Sequence, residues 1–480
     1  MEYEAVIGLE VHAQLLTKSK IFCSCSTEFG VPPNENTCPI CLGMPGVLPV
    51  LNGTVIKYAI RTALAMNCTI APLSKFARKS YFYPDLPKGY QISQYELPLA
   101  SNGLLEIEME GAQKRVGIVR IHMEEDAGKL IHGENLGRSE CSYVDFNRTG
   151  VPLIEIVSCP DLHTPEEAKE YLMRLRTILQ YLEVCDGNME EGSLRCDANV
   201  SVRPVGASSL GTKTEVKNMN SFRHVQRALE FEIQRQVQTI DDGGQVQQET
   251  RLWDAEQGVT FSMRGKEEAH DYRYFPEPDL VPCVVTSDWI EEIRQTLPEL
   301  PDTRKRRFVE QYEIPAYDAG ILTTTKPMAN YFEECVQLFP RPKVVSNWIM
   351  GELMRELKRD DLEIEHCPVG PQGLAELLSM VEKGTISRKI AKSVLGEMYH
   401  SGKGAHEIVH EKGLTQITDE RELAAFAEKA LAENAEQVVA YRRGKEKLFG
   451  HLVGQAMKAS RGQANPELLN RILRDKLGSS

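Results

Sequence analysis

Two pairs of cysteines carry the most specific chemistry in the chain: Cys23-Ser-Cys25 and Cys38-Pro-Ile-Cys41, joined by a short polar loop. Zinc takes four soft ligands in a tetrahedron, and two close pairs on two turns supply that geometry with little chain to order. Gly43 completes Cys-Pro-x-Cys-x-Gly, a tight turn whose backbone N–H groups can point at a metal-bound sulfur. Unrelated thiols or two disulfides are the competing accounts, and the paired spacing favours zinc. With thiols at every corner no position is open to water, so the expected site is structural and not catalytic.

A second set of residues points to hard-cation chemistry. Tyr3 to Gln14 alternates apolar and polar positions, so Glu10, His12 and Gln14 leave one strand face together. Residues 116–126 read as a strand ending in Glu124, Glu125 and Asp126. Period two puts His122, Glu124 and Asp126 on one face and Glu125 on the other. Glu155 lies inside an apolar run and is costly there unless paired. From 193 to 203 the alternation is nearly perfect, with Arg195, Asp197, Asn199, Ser201 and Arg203 on one side. The neighbouring Lys213, Glu215 and Lys217 also share a face, and Glu191 stands just before the long strand. Such stripes suit either a solvated sheet laced with ion pairs or the floor of a site for ATP, magnesium and a carboxylate.

Between the strands runs Arg78-Lys-Ser-Tyr81-Phe-Tyr83-Pro-Asp-Leu-Pro-Lys88-Gly-Tyr90, where prolines and glycine break regular structure. It is either a loop stiffened by packed tyrosines or one that aims Lys79 or Lys88 at a phosphate. Thr250-Arg-Leu-Trp-Asp and the stretch from His270 and Asp271 through Arg273 to Asp279 repeat that theme of aromatic, arginine and acid in a Pro-bounded loop. The common nucleotide motifs are absent. Gly206 to Lys213 misses a P-loop because its lysine and hydroxyl are transposed, so ATP would need a carboxylate–metal sheet site.

The elements that must position these groups follow from local signals. A helix is expected near 54–66. A second is opened by the capping box Thr164-Pro-Glu-Glu167, and a third, capped by Ser221, runs to about Ile240. Beyond about residue 293 the strand pattern stops. Residues 294–405 read as a helical domain, and 406–480 as a tail in which Asp419 caps a helix reaching about Tyr441. The tail ends in a basic cluster, Arg442, Arg443, Lys445, Lys447, Lys458 and Arg461, in a chain whose net charge is −13. That is where a phosphate backbone would dock, although any one of these residues also suits a solvated helix face.

At 480 residues the chain exceeds one hydrophobic core, and 41% apolar with 26% charged residues is ordinary for a soluble protein. A charged, strand-like start in place of a signal peptide, and no long apolar run, lead to the expectation of a cytoplasmic protein. Eight of the twelve cysteines are scattered, as reduced buried thiols would be.

Together these segments resemble the B-subunit family of the GatCAB tRNA-dependent amidotransferases. The residues that carry the resemblance are Gly8-Leu-Glu-Val-His-Ala-Gln14, the cysteine knuckle, Arg78 through Tyr90, His122-Met-Glu-Glu-Asp-Ala-Gly, and Asp145-Phe-Asn-Arg-Thr-Gly-Val-Pro-Leu. Glu191-Gly-Ser-Leu-Arg-Cys-Asp-Ala-Asn-Val-Ser, Arg273-Tyr-Phe-Pro-Glu-Pro-Asp and the final Gly450-His-Leu-Val-Gly-Gln-Ala-Met-Lys extend it over essentially the whole chain. The resemblance implies an α+β protein: a glutamine-synthetase-like cradle with a zinc knuckle at 1–293, then an all-α helical domain, then a small helical tail that touches tRNA. It also implies a carbon–nitrogen ligase. ATP phosphorylates the side-chain carboxylate of Glu on tRNA(Gln) or Asp on tRNA(Asn), and ammonia from a glutaminase then gives the amide. The partners would be that amidase A subunit and a small C subunit in a heterotrimer, with misacylated tRNA as substrate.

On this reading the catalytic set is Glu10, His12, Glu124, Glu125, Glu191, Arg195, Asp197 and Asn199, with magnesium on Glu10, His12 and Glu125. ATP and substrate would meet Lys79, Tyr81, Tyr83, Lys88, Lys217 and Arg273. Two competing readings are a zinc-stabilised tRNA-binding scaffold, which leaves the polar stripes unused, and a metal-dependent hydrolase, which fits poorly with the Lys and Arg beside the acids.

Overall fold

The computed structural model describes residues 2–109, 111–132, 141–263, 272–417, 419–460 and 462–478, in two compact units, Met1–Leu300 and Pro301–Ser480. His270, Asp271 and Arg461 lie outside the described residues. The protein is mixed α/β, with a sheet in the N-terminal unit and helices throughout the C-terminal one.

The main sheet of the first unit has nine strands among the described residues. In chain order they are β1 (Tyr3–Gln14), β2 (Thr69–Ile70), β3 (Ala100–Met109), β4 (Ala112–Glu125), β5 (Pro152–Ser158), β6 (Leu194–Pro204), β7 (Thr214–Met219), β8 (Thr250–Asp254) and β9 (Val259–Ser262). Their spatial order is β9-β8-β7-β6-β1-β5-β4-β3-β2, which puts β1 at the centre. Ile7, Leu9, Val11 and Ala13 of β1 are sealed from solvent in the main core. Helices α1 (Gly53–Ala65), α2 (Pro165–Tyr181) and α3 (Phe222–Asp241) pack on the sheet, and α2 and α3 pack on each other. The alternate residues of β1, Glu10, His12 and Gln14, are half-buried on the opposite face. One-sided helical cover of a largely antiparallel sheet leaves the other side to polar groups.

Two segments differ from expectation. Thr250–Asp254 is not a loop but strand β8, parallel to β7. A parallel neighbour needs a crossover, and α3 is the helix that carries the chain back to the sheet edge. There Trp253 is buried and Arg251 bonds across to Thr260 on β9. The Arg78–Tyr90 region is only partly irregular. Ala77–Ser80 and Tyr90–Ser93 form an antiparallel ribbon that confines the prolines and Gly89 to the intervening turn. Phe275–Pro276 adds to the same ribbon, held by Arg78 on Glu277 at 2.7 and 2.9 Å.

In the second unit two apolar clusters are separate, one between Phe308 and Val409, the other between Leu423 and Leu473. The helix expected to run from Asp419 to about Tyr441 is two helices, Glu420–Glu433 and Ala435–Arg442. Asn434 leaves helical geometry (φ −125°, ψ 41°) and its side chain bonds back to the Ala430 carbonyl, closing the first helix. Asp419 caps as expected, accepting from the N–H groups of Arg421 and Glu422. Among the described residues no helix is long and apolar enough to cross a membrane.

The capping box of α2 is complete: Thr164 accepts from Glu167 N–H, and the Glu167 carboxylate reaches back to Thr164 N–H. Thr164→Ala should therefore lower the stability of the first unit by about 1 kcal/mol, with Thr164→Ser retaining most of it. A urea titration followed by tryptophan fluorescence tests this, and equal midpoints for the alanine and wild-type proteins would refute it.

Candidate active site and metal centres

Antiparallel register builds the site. His12 on β1 lies opposite Glu155 on β5 and opposite Arg195 on β6, and Glu155 lies opposite His122 on β4. Four strands thus present one transverse row, Arg195–His12–Glu155–His122. The next positions along β1 pair Glu10 with Asp197 and Gly8 with Asn199. Directly opposed groups of unlike character stabilise such a row, whereas like charges repel.

At the centre, His12 Nε2 lies 3.5 Å from Glu124 Oε1 and 3.4 Å from Glu155 Oε2. His122 Nε2 approaches the same carboxylates at 3.8 and 3.3 Å. One donor atom from each of His12, Glu124 and Glu155 falls within 4.8 Å of the others, close enough for all three to hold one cation. Burial opposes charging either imidazole, but the two carboxylates outweigh it. His12 is raised above the usual histidine value, and His122 is raised to about 9. Burial likewise opposes ionising Glu124 and Glu155, and the imidazoles more than offset it, so both carboxyls are held low.

Around this centre charges alternate. Asn199 Nδ2 donates to Glu10 Oε1 at 2.9 Å. Burial raises the Glu10 carboxyl pKa, and Glu155, Glu215 and Asp197 push it further. Lys217 Nζ sits 2.8 Å from Asp197 and 3.0 Å from Glu215, which keep it charged against the cost of burial. Arg195 donates to Asp126 Oδ1 at 3.0 Å, and Gln14 Nε2 to Oδ2 of the same carboxylate at 2.9 Å.

Glu125 points elsewhere. It is ion-paired with Lys88 and accepts from Ile92 N–H at 2.8 Å, so the cation-sized group contains Glu124 and Glu155, not Glu125. Tyrosines stand nearby: Tyr81 meets Tyr272 edge-on, and Tyr274 stacks on Tyr95 with centroids 4.1 Å apart. Lys79 lies over the Tyr272 ring at 4.8 Å and that of Tyr81 at 5.8 Å. Burial raises the Tyr81 hydroxyl, and Glu124 raises it further. Arg273 is exposed, with a left-handed backbone (φ 44°), between half-buried Tyr272 and Tyr274. Tyr83 is exposed in the ribbon's turn, and Glu191 is exposed in the turn before β6, its N–H donating to Asn188. In the second unit Arg442, Arg443, Lys445 and Lys458 are all exposed.

Glu155 and His122 did not enter the candidate set from sequence, and neither did Glu215 or Asp126. For Glu155 the signal was an ionisable residue inside an apolar strand. Its partners became visible only with the cross-strand register.

The cysteines converge as a second centre. From Cys41 Sγ the other sulfurs lie at 3.6 Å (Cys23), 3.7 Å (Cys38) and 3.8 Å (Cys25). A tetrahedron with Zn–S bonds of about 2.3 Å has edges of about 3.8 Å, so the donor set fits zinc. A disulfide needs about 2.05 Å. The hydrogen bond from Cys23, with the cation of Lys20 behind it, pulls Cys41 down to about 4. The hydrogen bond to Cys41 raises Cys23, and burial raises Cys25 to about 11. Ionising the remaining thiols beside an existing thiolate requires a cation among them.

A family model described as the GatB/GatE catalytic domain matches residues 5–291, and one described as the GatB domain matches 330–477. The chain is 61% identical over 476 residues to the B subunit of the aspartyl/glutamyl-tRNA(Asn/Gln) amidotransferase from Carboxydothermus hydrogenoformans, covering 99% of both chains. It is 59% identical over 477 residues to the B subunits of the same name from Geotalea uraniireducens and Moorella thermoacetica, covering 99% of this chain and 100% of each of theirs. By whole-length similarity and by both domain models, the chain belongs to the family of aspartyl/glutamyl-tRNA(Asn/Gln) amidotransferase B subunits.

Proposed function

We propose that the first unit is a glutamine-synthetase-like cradle that activates the side-chain carboxylate of Glu or Asp carried on tRNA(Gln) or tRNA(Asn), and then amidates it. The observation that carries this reading is the convergence of Glu124 and Glu155 with His12 and His122, with Arg195 at one end of the transverse row and Lys217 on the neighbouring Asp197. Attack of a carboxylate on ATP brings two anions together, so such a site must supply positive charge in a fixed geometry.

Glu124 and Glu155, with Glu10 beside them, would hold magnesium, and His12 would orient a carboxylate in preference to acting as a hard-cation ligand. The bound cation would neutralise phosphate charge as it develops. Asp197 and Glu215 hold Lys217 charged, and Asp126 aims Arg195, so these two cations can face phosphate oxygens without searching rotamers. The substrate carboxylate oxygen bonds to the γ-phosphorus as the bond to ADP breaks. Ammonia then attacks the acyl carbon, phosphate leaves with the bonding pair, and the nitrogen loses a proton. Lys79, Tyr81, Tyr83, Lys88 and Arg273 would line the approach and keep water from the acyl phosphate.

Ammonia would come from an amidase A subunit, with a small C subunit completing a cytoplasmic heterotrimer. The tail at 406–480, following the helical domain at 294–405, would carry the tRNA through Arg442, Arg443, Lys445, Lys458 and Arg461. The defining experiment is ATP consumption that depends on misacylated tRNA, with free ammonia supplied.

Glu10→Gln removes a charge with little change of volume. It should lower the turnover of Glu-tRNA activation by about a hundredfold or more while tRNA affinity hardly moves. Normal turnover with free ammonia would remove this strand face from the kinase site. Deleting residues from 406 onward should weaken tRNA binding and flatten its salt dependence, as read from a binding titration at several ionic strengths. An unchanged slope would place the phosphate contacts elsewhere. The knuckle would be a structural zinc centre, so Cys38→Ser should release about one zinc per chain and lower the melting temperature. Unaltered metal content and melting temperature would contradict that assignment.

A further inference from the structure

Lys20 is fully buried, which is rare for lysine. Its ammonium donates to the carbonyl oxygens of Asn36 at 2.6 Å and Phe146 at 3.3 Å, and to Cys41 Sγ at 3.4 Å. Among the described residues no carboxylate forms an ion pair with it. A buried cation without an anion is costly, and here the group able to carry negative charge is sulfur. Four thiolates around a zinc dication leave two net negative charges inside the protein, and one hydrogen-bonded ammonium cancels half of that excess.

The same side chain also ties segments together. Asn36 belongs to the loop between the cysteine pairs, and Phe146 to the turn before β5. The backbone continues the join, with Lys20 N–H donating to Cys25 at 3.0 Å and Ile21 N–H to Gly150 at 2.9 Å. Gly150 holds a left-handed backbone, φ 80°, beside the Lys20 methylenes.

We propose that Lys20 is the outer-sphere charge partner of the cysteine centre, a positioning residue whose ammonium on Cys41 retains the metal. This rests on the zinc reading above. Partners of this kind typically account for a tenfold to hundredfold difference in metal affinity. Loss of the cation should therefore speed zinc release by about that factor, and a substitute that keeps the charge should restore retention.

The test uses the full-length zinc-loaded protein and follows release to a chromogenic chelator for wild type, Lys20→Met, Lys20→Gln and Lys20→Arg, with folding checked by circular dichroism. Lys20→Gln and Lys20→Met should release zinc about tenfold to a hundredfold faster, and Lys20→Arg within a few-fold of wild type. If Lys20→Met does not fold, the Gln and Arg variants carry the comparison. Wild-type release from a folded Lys20→Gln protein overturns the proposal, as does equal release from the Arg and Gln variants, which would make charge irrelevant. Wild-type protein that purifies and reconstitutes without zinc overturns the zinc reading itself, a result distinct from either.

Discussion

Cross-strand register around β1 is the constraint on which the rest depends. Because β1 is central, Glu10 and His12 on its open face each acquire two lateral neighbours, and those neighbours decide their chemistry. His12, between Arg195 and Glu155, has a cation on one side and an anion on the other. A slip of one residue would bring Val11 to that place and bury the histidine under the helices. The apolar set Ile7, Leu9, Val11 and Ala13 makes that slip prohibitively unfavourable, so packing on one face guarantees electrostatics on the other.

Much of this was legible in the sequence, and the limits have a physical origin. Alternation in Tyr3–Gln14 and Leu194–Pro204 announces which residues share a face, because period two is local. Which strand lies beside which is not local. Glu155 therefore read only as a costly acid in an apolar run, and its pairing with His12 and His122 awaited the fold. Adjacent Glu124 and Glu125 separated as strand geometry requires, one to the imidazoles and one to Lys88. Thr250–Asp254 passed for a loop because its neighbour is reached through a helix of twenty residues. The cysteine spacing, in contrast, needed no long-range information, since each pair sits on its own turn.

The two centres stand in different relations to water. In the cysteine cluster four thiols converge with buried Lys20 against Cys41, so a metal held there would have no position open to water. The carboxylate–imidazole centre lies beside half-exposed Arg195 and Lys217, where on the proposed reading a charged substrate would exchange. Both belong to the first unit.

The division of the second unit into two apolar clusters bears on its dynamics. The cluster between Leu423 and Leu473 is built largely from alanine and leucine, with Ala427, Ala430, Ala456 and Ala464 among its buried members. So small a core buries little area, and small cores are marginal. On that ground its helices are expected to open as a cooperative segment while the cluster around Phe332 and Trp348 stays closed. Amide protons in Glu420–Glu433 should then exchange through that local opening, and a ligand binding only the closed form will slow them in proportion to its saturation. Occupancy of this segment would thus be written in its exchange protection, residue by residue, without any change in backbone path.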